Sequence, residues 1–136
     1  MNTLHVGITG TRSGMTEYQT VTVINFLMAA FEPNAVFHHG DCLGADVETA
    51  TIAKELGYKI VGHPPVKTEF RGYFEDDVTH TAKGYFVRNR NIVNSSFVMI
   101  VVPWQMEHAN NGGTWFTHDY AEKLKKPIFV AWPRKQ

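Results

Sequence analysis

The sequence predicts an α/β protein: a single Rossmann-like three-layer sandwich spanning 1–136, with a mainly parallel sheet of about five strands. Three observations predict it. Short β-branched runs alternate with segments of helical period. The run "FVMIVVP" (97–103) is apolar without a break, as a strand buried on both faces of a parallel sheet must be. Glycines gather where strands end and helices begin.

The elements follow in order. "LHVGITG" (4–10) reads as a strand closed by glycine. In "TEYQTVTVINFLMAAF" the apolar residues Val21, Ile24, Leu27, Met28 and Phe31 recur at helical spacing, and Thr16 with Gln19 fits a capping box. "AVFHHG" (35–40) is a second strand. "DVETATIAKELG" is a helix with Asp46 as its expected N-cap and Gly57 beyond its end. "YKIVGHPP" is a third strand, halted by prolines that cannot donate to a ladder. Residues 64–85 lack a period and read as a long loop or flap, a kind of segment that is usually functional or disordered. "YFVRNRNIVNSSF" (85–97) fits a helix, "FVMIVVP" the fourth strand, "TWFTHDYAEKLKK" a helix and "PIFVAW" the last strand.

Composition sets outer limits. The chain has 136 residues, enough for one core, with 43% apolar and 19% charged residues. Formal net charge is zero, so no global field draws nucleic acid or an anionic membrane, and any anion must be held locally. One cysteine, Cys42, allows no internal disulfide. The N-terminus lacks a signal-peptide pattern and the longest apolar run is too short to span a bilayer, so a cytoplasmic, non-membrane protein is expected.

Three loops run from a strand end toward a helix start: "GTRSGMT" (10–16), "GDCLGAD" (40–46) and "PWQMEHANNGGT" (103–114). Free N–H groups and the helix dipole suit such turns to phosphate, and glycine lets a ligand approach the backbone. Any one of them is equally well an ordinary βα turn; three in register favour a common phosphate-type site. GxGxxG and GxxxxGK[ST] are both absent, which argues against a common dehydrogenase or P-loop enzyme. Arg88 offers a forked donor for phosphate, or else belongs to a solvated surface helix whose Val87, Ile92 and Val93 face the sheet.

"GTR", "HHGDCLGAD", "HPP", "YFVRNRNIVNSSFVMIVVP" and "GGTWFTHDYAEKLKKPIFVAWP" occur in that order. Together they resemble the SLOG superfamily, the Rossmann-like group that contains DprA/Smf and the LOG phosphoribohydrolases. The resemblance runs from residue 6 to residue 133. It implies a nucleotide-binding domain, often homo-oligomeric, whose ligands include nucleoside monophosphates and relatives of ADP-ribose or NAD. By the same resemblance Gly10, Thr11 and Arg12 lie beneath the ligand, and Gly40, Gly44, Ala45 and Asp46 form a second wall. Arg88, Asn89 and Arg90 match the basic element, and Gly112, Gly113 and Thr114 the phosphate loop, which Pro103 opens.

The phosphoribohydrolases carry PGGxGTxxE, with a catalytic glutamate three residues after the threonine. Here "NGGTWFT" places Thr117 there, and a hydroxyl cannot act as a base near neutral pH. The expected function is therefore to sense, carry or sequester a small nucleotide, with no cofactor and no assigned catalytic residue. An N-glycosidase using a displaced carboxylate is the alternative, and DprA-like single-stranded DNA binding a second one that zero net charge disfavours. Asp119 lies roughly 200° around the helix from Thr117 and is expected to point elsewhere. Asp76, Asp77, Glu69 and Glu75 sit in the flap, within reach of a ligand if it swings.

The seven histidines show no metal-ligand spacing, so packed or hydrogen-bonded roles and no metal are expected. Cys42, at a helix start, is expected to have a lowered pKa. Phe70, Tyr73, Phe74 and Tyr85 either stack on a base or anchor the flap, and Trp104 and Trp115 bracket the phosphate loop.

Overall fold

The computed structural model describes residues 2–110 and 112–136. Asn111, in the third glycine loop, lies outside the described residues. The elements are β1 His5–Gly10, α1 Glu17–Ala30, β2 Val36–His39, α2 Ala45–Leu56, β3 Lys59–Gly62, β4 Val78–Thr79, α3 Tyr85–Ser95, β5 Val98–Val102, α4 Gly113–Lys123 and β6 Ile128–Val130. The sheet order is β4-β3-β2-β1-β5-β6, with every pairing parallel. The chain winds outward from β1 to β4, and α3 then carries it back to β5 on the other side of β1. Strand order thus reverses between β1 and β5, so their carboxyl ends flank the crevice where such sheets take ligands.

Alternation along the strands explains the two layers of helix. Val6, Ile8, Ile100 and Val102 join Val23 and Leu27 of α1 and Ala50 and Ala53 of α2 in one buried cluster. Met99, from the opposite sheet face, packs with Ile92 and Val93 of α3 and Ala121 of α4. β5 is buried over Met99–Val102, as its unbroken apolar sequence predicts.

The capping box of α1 is present: Thr16 accepts from the Gln19 N–H at 3.1 Å, and Gln19 Oε1 accepts from the Thr16 N–H at 3.0 Å. Gln19 is also buried and donates Nε2 to the carbonyls of Pro103 at 2.6 Å and Ala131 at 2.9 Å. One side chain thus starts the helix and fastens it to the carboxyl ends of β5 and β6.

Three expectations about the helices need correction. Val21, Met28 and Phe31 are exposed; the buried face of α1 is Gln19, Val23 and Leu27, at four-residue intervals. Val87 is 44% exposed, and Arg88 and Asn89 are buried beside Ile92 and Val93 instead. Asp46 is not the N-cap of α2, since Gly44 holds that position at φ 90°. A side chain on Gly44 would also meet the Thr11 carbonyl at 2.5 Å, so glycine answers both demands of this turn.

Residues 64–85 form no free flap. They contain β4, a sixth strand of two exposed residues, and are fastened to the sheet by carboxylates. Asp41 accepts from Arg71 Nε at 2.9 Å and the Phe74 N–H at 2.8 Å. Asp76 accepts from His39 Nε2 at 2.6 Å and Asp77 from the Ile60 N–H at 2.7 Å. Asp76 and Asp77 are therefore committed, not poised to swing. His39 Nδ1 accepts from the Asp41 N–H at 3.0 Å, which fixes the tautomer that donates to Asp76.

His38 and His39 point to opposite faces, as adjacent strand residues do. His38 bonds His5 at 2.8 Å and His63 at 2.9 Å, and His80 stacks on His63 at 4.6 Å between centroids. Burial, reinforced by neighbouring histidines, lowers His38 to about 3 and His63 to about 4. Both are neutral when folded and take up protons on unfolding below pH 6.5, so stability is full above that pH. It falls on acidification toward pH 4, by roughly 1.4 kcal/mol per histidine per pH unit. The urea midpoint is expected to fall steadily from pH 6.5 to pH 4; a flat midpoint contradicts the assignment.

Candidate functional site

At the β1/β5 switch lies a cavity of about 1150 Å³. Its floor is the turn after β1, where the Thr11 N–H donates to the Val102 carbonyl at 2.9 Å and locks the two strand ends together. One wall is the start of α4, whose N-cap Gly112, at φ 92°, offers no side-chain cap. The contrast with the fully capped α1 is chemical: the first turn of α4 presents amide donors and the positive dipole end to the cavity. Tyr85, Phe86, Trp104, Trp115 and Phe116 supply flat apolar surface.

The cavity brings together most of the residues singled out in the sequence. Gly10, Thr11, Arg12, Asp46, Arg88, Asn89, Arg90, Gly112, Gly113 and Thr114 all line it. Gly40, Gly44, Ala45 and Pro103 lie behind the wall, where they shape the turns: Ala45 N–H donates to the Thr11 carbonyl at 2.9 Å, and the Pro103 carbonyl is taken by Gln19. Among the described residues the lining carries four cations, Arg12, Arg88, Arg90 and Lys123, against two carboxylates, Asp46 and Asp119. A chain of zero net charge thus concentrates positive charge at one crevice.

The cations are not equivalent. Arg88 is 5% exposed, and its guanidinium donates to the carbonyls of Gly40 and His63, to Asn89 Oδ1 at 2.6 Å and to Cys42 Sγ at 3.7 Å. A side chain on Gly40 would come within 2.5 Å of Arg88 Nη1, so this glycine makes room for arginine. Arg12 is exposed, its guanidinium 4.5 Å from the Phe70 ring centroid and 5.1 Å from that of Tyr85. These rings steady it without consuming its donors.

Asp46 accepts from the N–H groups of Gly40 at 3.2 Å and Cys42 at 3.3 Å, closing the second glycine loop. Burial pushes its carboxyl above the ordinary range, against the pull of Arg88. Burial, and then Asp46, likewise push the Cys42 thiol up; the lowering expected from the helix start does not occur. Cys42 is a buried thiol, not an activated nucleophile.

Thr117, in the place of the family glutamate, is buried and donates its hydroxyl to the Gly113 carbonyl at 2.8 Å. Asp119 does not point away from the cavity as expected but reaches its rim. There it bonds His108 Nε2 at 2.7 Å and His118 Nδ1 at 2.8 Å. Slight burial opposes ionisation, but the two histidine bonds prevail and hold the carboxyl below its usual range. This cluster escapes motif reading because His108 stands in a loop ten residues before His118. Of the four flap-region aromatics, Tyr85 lines the cavity and Phe70 backs Arg12, whereas Tyr73 stacks under Arg71 and Phe74 packs on the core. Trp115 is buried and Trp104 is 69% exposed.

No family model matches the chain, and no curated protein matches it. Solved structures do. A molybdenum cofactor binding protein from Rippkaea orientalis superposes with a TM-score of 0.72 at 21% identity, over 96% of this chain and 77% of that one. The molybdenum cofactor carrier protein of Chlamydomonas reinhardtii gives 0.67 at 22% identity, over 95% and 76%. DNA processing protein A of Helicobacter pylori gives 0.65 at 25% identity, over 93% of this chain and 64% of that one. The chain has the SLOG superfamily fold. The SLOG sheet, with its switch between β1 and β5, places the cavity where three glycine-bearing turns converge. No helix among the described residues is long and apolar enough to cross a membrane.

Proposed function

We propose that this protein binds a small nucleotide or nucleotide-derived molecule in the β1/β5 cavity and carries, senses or sequesters it without cleaving it. The observation that carries this reading is the uncapped start of α4 facing an exposed arginine, Arg12, across a cavity with aromatic walls. Phosphate rests on the amides of residues 112–114, Arg12 and Arg90 neutralise it, and Tyr85 or Trp104 offers a face to the base. Structural neighbours named for binding or carrying molybdenum cofactor support a carrier role. The buried Thr117 in the glutamate's place supports the absence of cleavage.

Calorimetric titration with AMP, ADP-ribose and NAD tests the reading, together with mass spectrometry of whatever co-purifies. Arg12→Ala is expected to weaken the best ligand roughly tenfold to a hundredfold, the worth of one charge-assisted contact. Its melting temperature stays at the wild-type value, because the side chain is exposed. Release of free base during incubation favours the N-glycosidase reading instead. Likeness to a DNA processing protein keeps oligonucleotide binding as a second reading; a steep salt-dependent affinity for single-stranded DNA in place of nucleotide binding favours it.

A further inference from the structure

The rim of the cavity carries a cluster that nucleotide binding does not use. Trp115, His118 and Asp119 lie three and four residues apart on α4 and therefore share one face. The loop before α4 brings His108 onto that face, where its ring packs against Trp115 at 4.6 Å and against His118 at 5.5 Å between centroids. Trp115, itself buried, also contacts His118 at 5.1 Å and so braces both imidazoles. Asp119 Oδ1 sits between His108 Nε2 and His118 Nδ1, and the three ligand atoms lie within 4.8 Å of one another.

We propose that His108, His118 and Asp119 form a binding site for a divalent transition-metal ion of the zinc class. Two imidazole nitrogens and one carboxylate oxygen are the donor set of three-ligand sites for such ions. Bonds of about 2.1 Å in tetrahedral geometry place ligand atoms roughly 3.4 Å apart. The two nitrogen–oxygen separations, 2.7 and 2.8 Å, need to open by well under 1 Å, a rotamer adjustment at side chains 40% (His108) and 53% (Asp119) exposed.

Three protein ligands leave at least one coordination position open. Because Asp119 reaches the cavity, an oxygen of a molecule bound there can fill that position. This last step rests on the function proposed above, whereas the metal site itself does not.

The untagged, ligand-free chain is titrated with zinc chloride by calorimetry and with cobalt(II) by absorption spectroscopy. One ion per chain is expected, with micromolar or tighter affinity and the visible bands of cobalt bound to nitrogen and oxygen. His118→Ala, His108→Ala and Asp119→Asn are each expected to weaken binding roughly tenfold or more, with circular dichroism unchanged. His80→Gln, at the surface end of the other histidine chain, is expected to bind as wild type. Absence of the cobalt bands overturns the proposal. Equal affinity in wild type and all three variants overturns it too, since the ion then sits elsewhere. Nucleotide is absent from these titrations, so their failure and a failure of nucleotide binding are read separately.

Discussion

Replacing Arg88 by methionine is expected to destabilise the protein by about 3–5 kcal/mol, the cost of removing one partner from a buried charged network. For a chain of this length that corresponds to a melting temperature lower by roughly 10 °C or more. The guanidinium serves the Gly40 and His63 carbonyls, the Asn89 carboxamide and the Cys42 sulfur at once. Methionine fills the volume but leaves the two carbonyls without their donor. It also strips the buried Asp46 carboxyl of the neighbouring cation that offsets its desolvation. Arg88→Lys is expected to recover only part of the loss, because a compact ammonium cannot span acceptors arranged around a planar fork. Thermal unfolding followed by circular dichroism reads both variants, and a wild-type melting temperature for Arg88→Met contradicts the structural role. Any loss of ligand affinity in these variants passes through the fold, which makes Arg12 the cleaner probe of binding.

Gly113→Asp is expected to abolish measurable nucleotide binding while leaving the protein folded. The position tolerates a side chain: a Cβ there meets only Asn89 Nδ2, at 3.7 Å. A carboxylate in the first turn also interacts favourably with the helix dipole, so stability is unchanged or slightly raised. The same carboxylate occupies the phosphate cradle. At about 5 Å and an effective dielectric of about 20, one phosphate charge meets roughly 3 kcal/mol of repulsion, more than a hundredfold in affinity. Gly113→Ala, which adds bulk without charge, is expected to lose far less. If the aspartate variant binds AMP as wild type does, the phosphate rests elsewhere.

The fold was legible because its signals are local. Thr16 and Gln19 announce a helix start three residues apart, Gly57 ends α2 in the left-handed region, and β5 declares its burial by composition. β4 was not legible: two exposed residues owe their pairing to the edge of β3, not to any pattern of their own. Asp46 resembles an N-cap in sequence but bonds the amides six and four residues earlier, a loop geometry that spacing rules do not encode. The glycines and cations of the site could be read from their places at strand ends. Their division of labour could not, since Arg12 and Arg88 differ only in what surrounds them. His108 and Asp119 meet through a loop whose path the sequence does not specify.

The proposed function depends on the free amides at the start of α4, faced by the Arg12 side chain from the turn after β1, gripping a phosphate. Amide proton–nitrogen correlation spectra, recorded while AMP is added to uniformly 15N-labelled protein, report on those amides one by one. The largest shift changes are expected on Thr11, Arg12, Gly113 and Thr114, with the Trp104 or Tyr85 signals following, and Gly113→Asp is expected to remove them. Shift changes centred on the β3–β4 edge, or none at saturating AMP, contradict that placement of the phosphate.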